Sequence, residues 1–115
     1  MVVLPPPGTS NSTRGVFSGG YGGSSPYPRH NTIQFITIAS TGNSQDFGDA
    51  TISYSGKAGA ASPTRGTSSG GSEPGVTSNI IDYIEILTTG NAIDFGDLNV
   101  GRAYLSGCSN AHGGL

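Results

Sequence analysis

At 115 residues, the chain is one small domain at most, or part of a larger symmetric assembly. Gly, Ser and Thr fill 47 positions and charged residues only 12, which excludes a helical bundle and favours an all-β chain with tight glycine turns, or a flexible linker. The net charge of −2, with five scattered basic residues, argues against a nucleic-acid partner, and no apolar run is long enough to span a membrane. A single cysteine excludes an intramolecular disulfide, so we expect oligomerisation to supply stability.

The chain begins with a short apolar segment followed by three prolines, Pro5 to Pro7. Consecutive prolines favour an extended segment that lacks backbone donors. We therefore predict an extended arm over residues 1–12, whose apolar tip (Val2, Val3 and Leu4) anchors on another subunit. The alternative is a disordered terminus.

Short strands with glycine and asparagine turns are predicted after the arm. In the first half of the chain they are Arg14–Gly20, Thr32–Ala39, Asp46–Ile52 and Lys57–Ala61. Thr41-Gly42-Asn43 is typical of a turn because Gly and Asn tolerate positive φ, and Thr89-Gly90-Asn91 in the second half is predicted to be a turn for the same reason. Four short strands within about 50 residues are typical of a propeller blade.

The second half of the chain repeats the first. Residues 31–52 and 79–100 align without gaps at an offset of 48, with 11 of 22 positions identical. Thr13-Arg14-Gly15 likewise recurs as Thr64-Arg65-Gly66 at an offset of 51. We predict one repeat over residues 13–61 and a second over 62–115, the second with strands Arg65–Gly71, Ile80–Leu87, Asp94–Val100 and Ala103–Ser109.

The order of these features resembles a kelch-type blade. Gly19-Gly20 and Gly70-Gly71 match the kelch double glycine, Phe35 and Tyr83 match its first aromatic, and Phe47 and Phe95 stand where kelch repeats usually carry tryptophan. The phrases STRGVF-x-GG, ITIASTGN-x-x-DFGD and CSNAHGGL resemble kelch-like repeat proteins encoded by tailed phages, notably those of cyanobacteria and other aquatic bacteria. The resemblance implies an all-β protein of two kelch-like propeller blades and a role as a virion structural protein.

Two blades do not close a propeller, so we expect the ring to close by oligomerisation. Three chains of two blades give a six-bladed homotrimer, whereas two or four chains give four or eight blades. We expect Ala103–Ser109 of one chain to pair with Arg14–Gly20 of its neighbour, and the alternative is that Met1 to Leu4 folds back as the missing strand. The inter-subunit residues predicted outside the arm are Arg14, Val16, Phe17, Tyr104 and Leu105.

Catalytic, cofactor and metal sites are not predicted. Asp46, Asp49, Asp94 and Asp97 form two carboxylate pairs that suit either calcium or, as their repetition favours, local turn hydrogen bonds. Cys108 and His112 supply too few ligands for a metal, and Cys108 is expected to be a small buried residue in register with Ala60. No serine lies in a Gly-x-Ser-x-Gly motif, so we expect no enzyme activity.

The sequence therefore predicts a phage virion component, specifically a capsid decoration or cement-type protein on the outer particle surface, bound to the major capsid protein through its arm. The alternative is a propeller associated with a tail fibre or collar that binds host-surface glycans. Tyr21 and Tyr27 lie in the long Gly/Ser/Pro loop and are the candidates for stacking on sugars.

Overall fold

The computed structural model describes residues 8–23 and 28–109, which form nine β-strands and no helix. The strands are β1 (Gly8–Ser10), β2 (Arg14–Ser18), β3 (Thr32–Thr37), β4 (Gln45–Asp49), β5 (Ser55–Ala61), β6 (Arg65–Glu73), β7 (Val76–Thr77), β8 (Ile80–Glu85) and β9 (Ile93–Asp97). They build two antiparallel sheets, which confirms the all-β prediction. No helix long and apolar enough to cross a membrane occurs in these two ranges.

The first sheet is a meander in the order β1-β2-β3-β4. Strand β1 joins β2 through a tight turn in which the Asn11 side chain accepts hydrogen bonds from the backbone of Thr13 (2.9 Å) and Arg14 (2.8 Å). An Asn in this position replaces the backbone partners that the turn residues lose. The short β1 can therefore return along β2, with Gly8 opposite Phe17 and Ser10 opposite Gly15.

The second sheet repeats this order as β5-β6-β8-β9, and the short β7 pairs with the end of β6. Ser62 stands at the position equivalent to Asn11, and its hydroxyl accepts from the backbone of Thr64 and Arg65. The β6–β7 turn contains Pro74-Gly75, with Gly75 at φ 81, as a type II turn requires.

Each sheet carries a β-bulge at the same place in its repeat. In the first sheet Ile33 pairs with Gly48 and Gln34 with Asp46, so Phe47 is the extra residue. In the second sheet the same shift leaves Phe95 as the extra residue. A bulge redirects a side chain, and here it brings Phe47 edge-on to the ring of Phe35.

The hydrophobic core lies where one face of the first sheet packs on one face of the second. In the first sheet, every second residue of the strands points into this core. In the second sheet, the residues of β8 and its extension that point into the core are equivalent to residues that point outward in the first sheet. The buried members are Val16, Ile33, Phe35, Phe47 and Ala50 with Ile84 and Ile86. This stacking presents the two repeats to each other by opposite faces.

The double glycine of the second repeat has a steric reason. Gly70 and Gly71 adopt φ values of 72 and 105, which only glycine adopts readily. A Cβ on Gly70 would lie 2.5 Å from the Arg102 carbonyl oxygen, and one on Gly71 would lie 2.9 Å from the Lys57 side chain. The repeated glycines are thus places where other chain segments approach the backbone.

The boundary between the sheets does not coincide with the repeat boundary drawn from the sequence. Strand β5, expected to close the first unit at Ala61, is the first strand of the second sheet. Strand β1 takes the corresponding place in the first sheet, since Gly8, Thr9 and Ser10 pair with β2 as Gly59, Ala60 and Ala61 pair with β6. Residues 8–10 are therefore part of the first sheet and not of an arm.

The predicted strand Ala103–Ser109 is wrong, since these residues form no strand. The segment runs beside β5 instead: Tyr104 donates its backbone N–H to the Gly56 carbonyl at 2.9 Å, and the Ser109 hydroxyl donates to the Ala61 carbonyl. The edge of β2 that was assigned to a neighbouring chain is occupied by β1 of the same chain. The alternative segment, Met1 to Leu4, lies outside the described residues, and the strand that folds back onto β2 is Gly8–Ser10.

Candidate interaction surface

The two sheets are joined at β4 by a turn of the second sheet, residues 89–92. Gly90 and Ala92 donate their backbone N–H groups to the carbonyls of Phe47 and Asp49, each at 2.8 Å. The Asn91 side-chain oxygen accepts the backbone N–H of Asp49 at 3.0 Å. Three hydrogen bonds thus tie the edge of one sheet to a turn of the other.

Gly48 allows this turn to approach. A Cβ at this position would lie 2.2 Å from the Gly90 carbonyl oxygen, closer than any side chain tolerates. The φ of Gly48 is 155. The contact is therefore built from backbone on both sides, which explains why it depends on glycine.

A stack of three side chains fills the space beside this turn. The Arg14 guanidinium carbon lies 4.3 Å from the centre of the Phe35 ring, and the rings of Phe35 and Phe47 meet edge to face at 5.9 Å. Arg14 Nη1 also donates to the Ile86 carbonyl of the second sheet at 3.0 Å. The stack therefore packs within the first sheet and binds across to the second.

A buried carboxylate, that of Asp82, completes the junction. Its side chain is 2 % exposed, and one oxygen accepts the backbone N–H of Thr51 (3.1 Å) and the Thr51 hydroxyl (2.9 Å). Lys57 is also buried, and its Nζ donates to the Ile52 carbonyl at 3.3 Å. Burial lowers the pKa of Lys57, and the negative charge of Asp82 opposes part of that change.

The cavity between the sheets is too small for a substrate. Its volume is about 20 Å³, which is enough for a water molecule and little more. The hydroxyls of Ser18 and Ser68 are buried there without a hydrogen-bond partner among the described residues. The junction is therefore a structural contact and offers no room for a small-molecule ligand.

The outer face of the second sheet carries an exposed copy of the three-residue stack, formed by Arg65, Tyr83 and Phe95. Arg65 lies 4.5 Å from the centre of the Tyr83 ring, and the rings of Tyr83 and Phe95 meet at 5.9 Å and 81°. The corresponding angle in the buried stack is 83°. Phe95 is 55 % exposed, whereas its counterpart Phe47 is 3 % exposed.

The outer face of the first sheet, formed by Phe17, Gln34, Ile36 and Ile38, is open as well. Phe17 is 43 % exposed and Ile38 55 % exposed. A groove of about 240 Å³ runs beside Phe17 and Gln34. Within the described residues, each sheet thus has one open face with exposed large apolar side chains, and such patches are typical of interaction sites.

Only part of the predicted inter-subunit set lies on these faces. Val16 is buried in the chain's own core, and Arg14 bonds to the second sheet of the same chain. Phe17 lies on the outer face of the first sheet, Tyr104 is exposed near the end of the described chain, and Leu105 is half-buried against Gly70. Val2, Val3 and Leu4 lie outside the described residues.

The predicted glycan-stacking pair is described only in part. Tyr21 is half-buried and forms a β-bridge with Arg29, whose guanidinium lies 5.5 Å from the centre of the ring. Tyr27 lies outside the described residues, as does His112. One face of Tyr21 is therefore already in contact with Arg29.

The four aspartates of the predicted carboxylate pairs and the cysteine are on the surface. Asp46, Asp49, Asp94 and Asp97 are all exposed, and within the described ranges no three His, Cys, Asp or Glu side chains come together to hold a metal ion. Cys108 is exposed, so the expectation of a buried residue was wrong. Residues 103–109 run beside the edge strand β5 and are not part of a sheet, so the thiol of Cys108 is exposed to solvent.

The sequence reasoning missed the junction itself. It interprets Thr41-Gly42-Asn43 and Thr89-Gly90-Asn91 as turns, and the identical DFGD segments as strands. The identity of these segments in the two repeats was the signal that they take part in a contact. A turn and a strand that are fixed only by local interactions do not require identical residues in both repeats. The structure brings the second copy of one against the first copy of the other.

Comparison with known proteins adds no family. The chain matches no protein-family model, and no curated protein is significantly similar to it.

Proposed function

We propose that the chain is a structural protein of a phage virion that assembles into a small symmetric oligomer of kelch-like blades, with a homotrimer favoured. The proposal is supported by two antiparallel sheets, of four and five strands, that share the same order of four strands and carry equivalent bulges. The virion role is supported by the resemblance of the sequence to kelch-like repeat proteins of tailed phages.

The observation that carries this proposal is the exposed stack of Arg65, Tyr83 and Phe95. It has the geometry of a stack that is buried elsewhere in the same chain, yet it faces solvent. Exposed aromatic side chains in a preformed arrangement are typical of interfaces. A chain whose two ends are different open faces associates head to tail, and such contacts close into rings when the rotation permits.

The position proposed on the particle is the outer capsid surface. A trimer suits the local three-fold positions where decoration or cement proteins sit. The arm residues Val2, Val3 and Leu4 would anchor the trimer on the major capsid protein. This placement rests on symmetry and on the resemblance of the sequence to phage proteins.

Glycan binding, as in a tail-fibre or collar-associated propeller, is the second candidate. An open groove of about 340 Å³ is lined by Arg29, Val76, Thr77 and the exposed Tyr104. An aromatic ring beside polar groups in a wet groove is a suitable platform for a sugar. Glycan-array binding by the isolated protein would favour this alternative over passive decoration.

Two measurements test the main proposal. Light scattering after size exclusion should give three times the chain mass of 11.5 kDa at micromolar concentration. Mass spectrometry of purified particles that carry the gene should detect peptides of the chain. A monodisperse 11.5 kDa monomer would contradict the oligomer, and particles without the peptides would contradict the virion role.

A further inference from the structure

We propose that one copy of this chain binds the next by reproducing its own inter-sheet junction between molecules. The outer face of the second sheet of one copy would pack on the outer face of the first sheet of the next copy. In this contact the second sheet replaces the first sheet of the intrachain junction, and the first sheet of the next copy replaces the second. This inference rests on the self-association proposed above but does not depend on the virion role.

The contact between a turn and a strand has two components, and each component occurs once in each repeat. Within the chain, only one turn and one strand take part in this contact. Within the chain, the turn at Gly90 and Asn91 binds β4 at Phe47–Asp49. The same residues recur as Gly42 and Asn43 in the first sheet and as Phe95–Asp97 in β9.

Three intermolecular hydrogen bonds are expected from this equivalence. Gly42 N–H would donate to the Phe95 carbonyl, Ser44 N–H would donate to the Asp97 carbonyl, and Asp97 N–H would donate to the Asn43 side-chain oxygen. Each reproduces a bond of 2.8–3.0 Å that exists inside the chain. Backbone groups supply five of the six atoms, so the change from Ala92 to Ser44 leaves the pattern intact.

Gly96 supplies an independent observation. Its φ of 153 matches the 155 of Gly48. A Cβ on Gly48 would strike the Gly90 carbonyl, whereas nothing lies within 4 Å of a Cβ built on Gly96. The space reserved at Gly96 therefore fits the turn of a second copy.

The exposed stack on the second sheet has the same arrangement as the stack that binds across the intrachain junction. Arg14 uses Nη1 to reach the carbonyl of Ile86, and the residue equivalent to Ile86 at the offset of 48 is the exposed Ile38. Arg65 holds its guanidinium over Tyr83 as Arg14 does over Phe35, with its Nε on Glu85. In the assembly, an Nη group of Arg65 would donate to the Ile38 carbonyl of the next copy.

The buried polar pair of Asp82 and Thr51 also has a counterpart at the proposed contact. Asp82 and Thr51 correspond to Gln34 and Asn99 at the offset of 48. Asn99 retains a donor and Gln34 an acceptor, while a neutral amide stands in place of the carboxylate. The loss of this charge avoids burying an unpaired carboxylate at a contact that forms only on association.

The occupant is a second copy because this chain carries both complementary surfaces on opposite sheets. A single chain exposes the strand half on β9 and the turn half between β3 and β4. Such a heterologous contact leaves one open face at each end until the ring closes.

Cross-linking between separately labelled chains tests the inference. In a Cys108→Ser background, one preparation carries Asn43→Cys and another carries Asp97→Cys. Mixing them under mild oxidation should give a disulfide-linked product of twice 11.5 kDa. The matched control is one chain with Asp49→Cys and Asn91→Cys, the pair that already touches within the chain, which should form an intrachain disulfide and stay at 11.5 kDa.

The Gly96→Ala variant gives a second measurement. A methyl group on Gly96 meets nothing within 4 Å in the isolated chain but would collide with the turn of the next copy. The φ of 153 strains the backbone of an alanine in the free and the associated chain alike, so this strain cancels in the association constant. We expect the self-association constant, measured by analytical ultracentrifugation, to weaken at least tenfold while the dilute chain keeps the circular dichroism spectrum of a folded β protein. No cross-link in the mixture while the control closes, with normal association of Gly96→Ala, would overturn this interface. If the parent oligomerises in that case, the proposed self-association survives, whereas a parent monomer removes both.

Discussion

Arg14 and Arg65 occupy equivalent positions and stack on equivalent rings, but their surroundings differ. Arg14 Nη1 donates to the Ile86 carbonyl across the junction. Arg65 pairs with Glu85 at 3.1 Å, and both side chains are about half exposed. Exposed ion pairs contribute little because water and salt screen them. The same residue type therefore has a different effect on the free energy of unfolding in each repeat.

We predict that Arg14→Ala lowers the free energy of unfolding by about 2 kcal/mol, because a hydrogen bond to a charged donor and a cation–π contact are lost. Arg65→Ala loses a similar cation–π contact but only an exposed ion pair beside it, so it should cost less, about 1 kcal/mol or below. Urea denaturation followed by circular dichroism, at a concentration low enough to keep the chain monomeric, measures both. Equal losses in the two variants would show that the junction hydrogen bond contributes nothing.

Lys57 gives the fold a pH dependence. Burial lowers its pKa in the folded state below the ordinary 10.5, with Asp82 opposing part of the change. Between the lowered folded value and 10.5, the unfolded chain binds more protons than the folded chain. The free energy of unfolding should therefore rise as the pH increases through that window.

The measurement is the urea midpoint as a function of pH up to 10.5, for the parent and for Lys57→Met. Met fills a similar volume without a charge. The parent should gain stability relative to the variant as the pH rises. Parallel curves for the two proteins would mean that Lys57 does not cause the dependence.

At the scale of the elements, the junction of β4 with the 89–92 turn depends on Gly48. We predict that Gly48→Ala lowers the free energy of unfolding by about 1–3 kcal/mol more than Gly96→Ala, since only the first methyl group collides with backbone. The two glycines have nearly the same φ, so backbone strain cancels in the comparison. Thermal melts of the two variants, at a concentration low enough to keep both monomeric, test this prediction, and equal melting temperatures would contradict the close approach.

Most strands were predictable because the determinants are local. β-branched and aromatic residues between Gly and Asn turns placed β3, β4, β8 and β9 to within a few residues. Strand β1 was not predictable, because three small residues after a proline run carry no strand pattern and pair only because β2 offers an edge. Ala103–Ser109 failed for a different reason, since its pattern matches β5 but the segment runs beside β5 without forming a ladder of paired residues with it.

At the scale of the whole molecule, the two open faces make stability depend on concentration. Association that requires the folded chain stabilises it by mass action, by about 2.7 kcal/mol at one hundred times the dissociation constant. We predict that the melting temperature rises with protein concentration in scanning calorimetry, and that the Gly96→Ala variant loses most of that rise. A melting temperature independent of concentration across the micromolar range would contradict association through folded surfaces.

The sequence by itself determined that the chain is all-β, that it contains two equivalent units, and where their turns lie. These properties come from composition, alternation and glycine positions, which act over a few residues. Only the tertiary structure decided which copy of each contact is buried. Phe47 and Phe95 have the same local sequence and the same bulge, yet Phe47 has a second sheet against it and Phe95 has solvent. Burial depends on whether another sheet lies against the side chain, and among the described residues no third sheet lies against the outer face of the second.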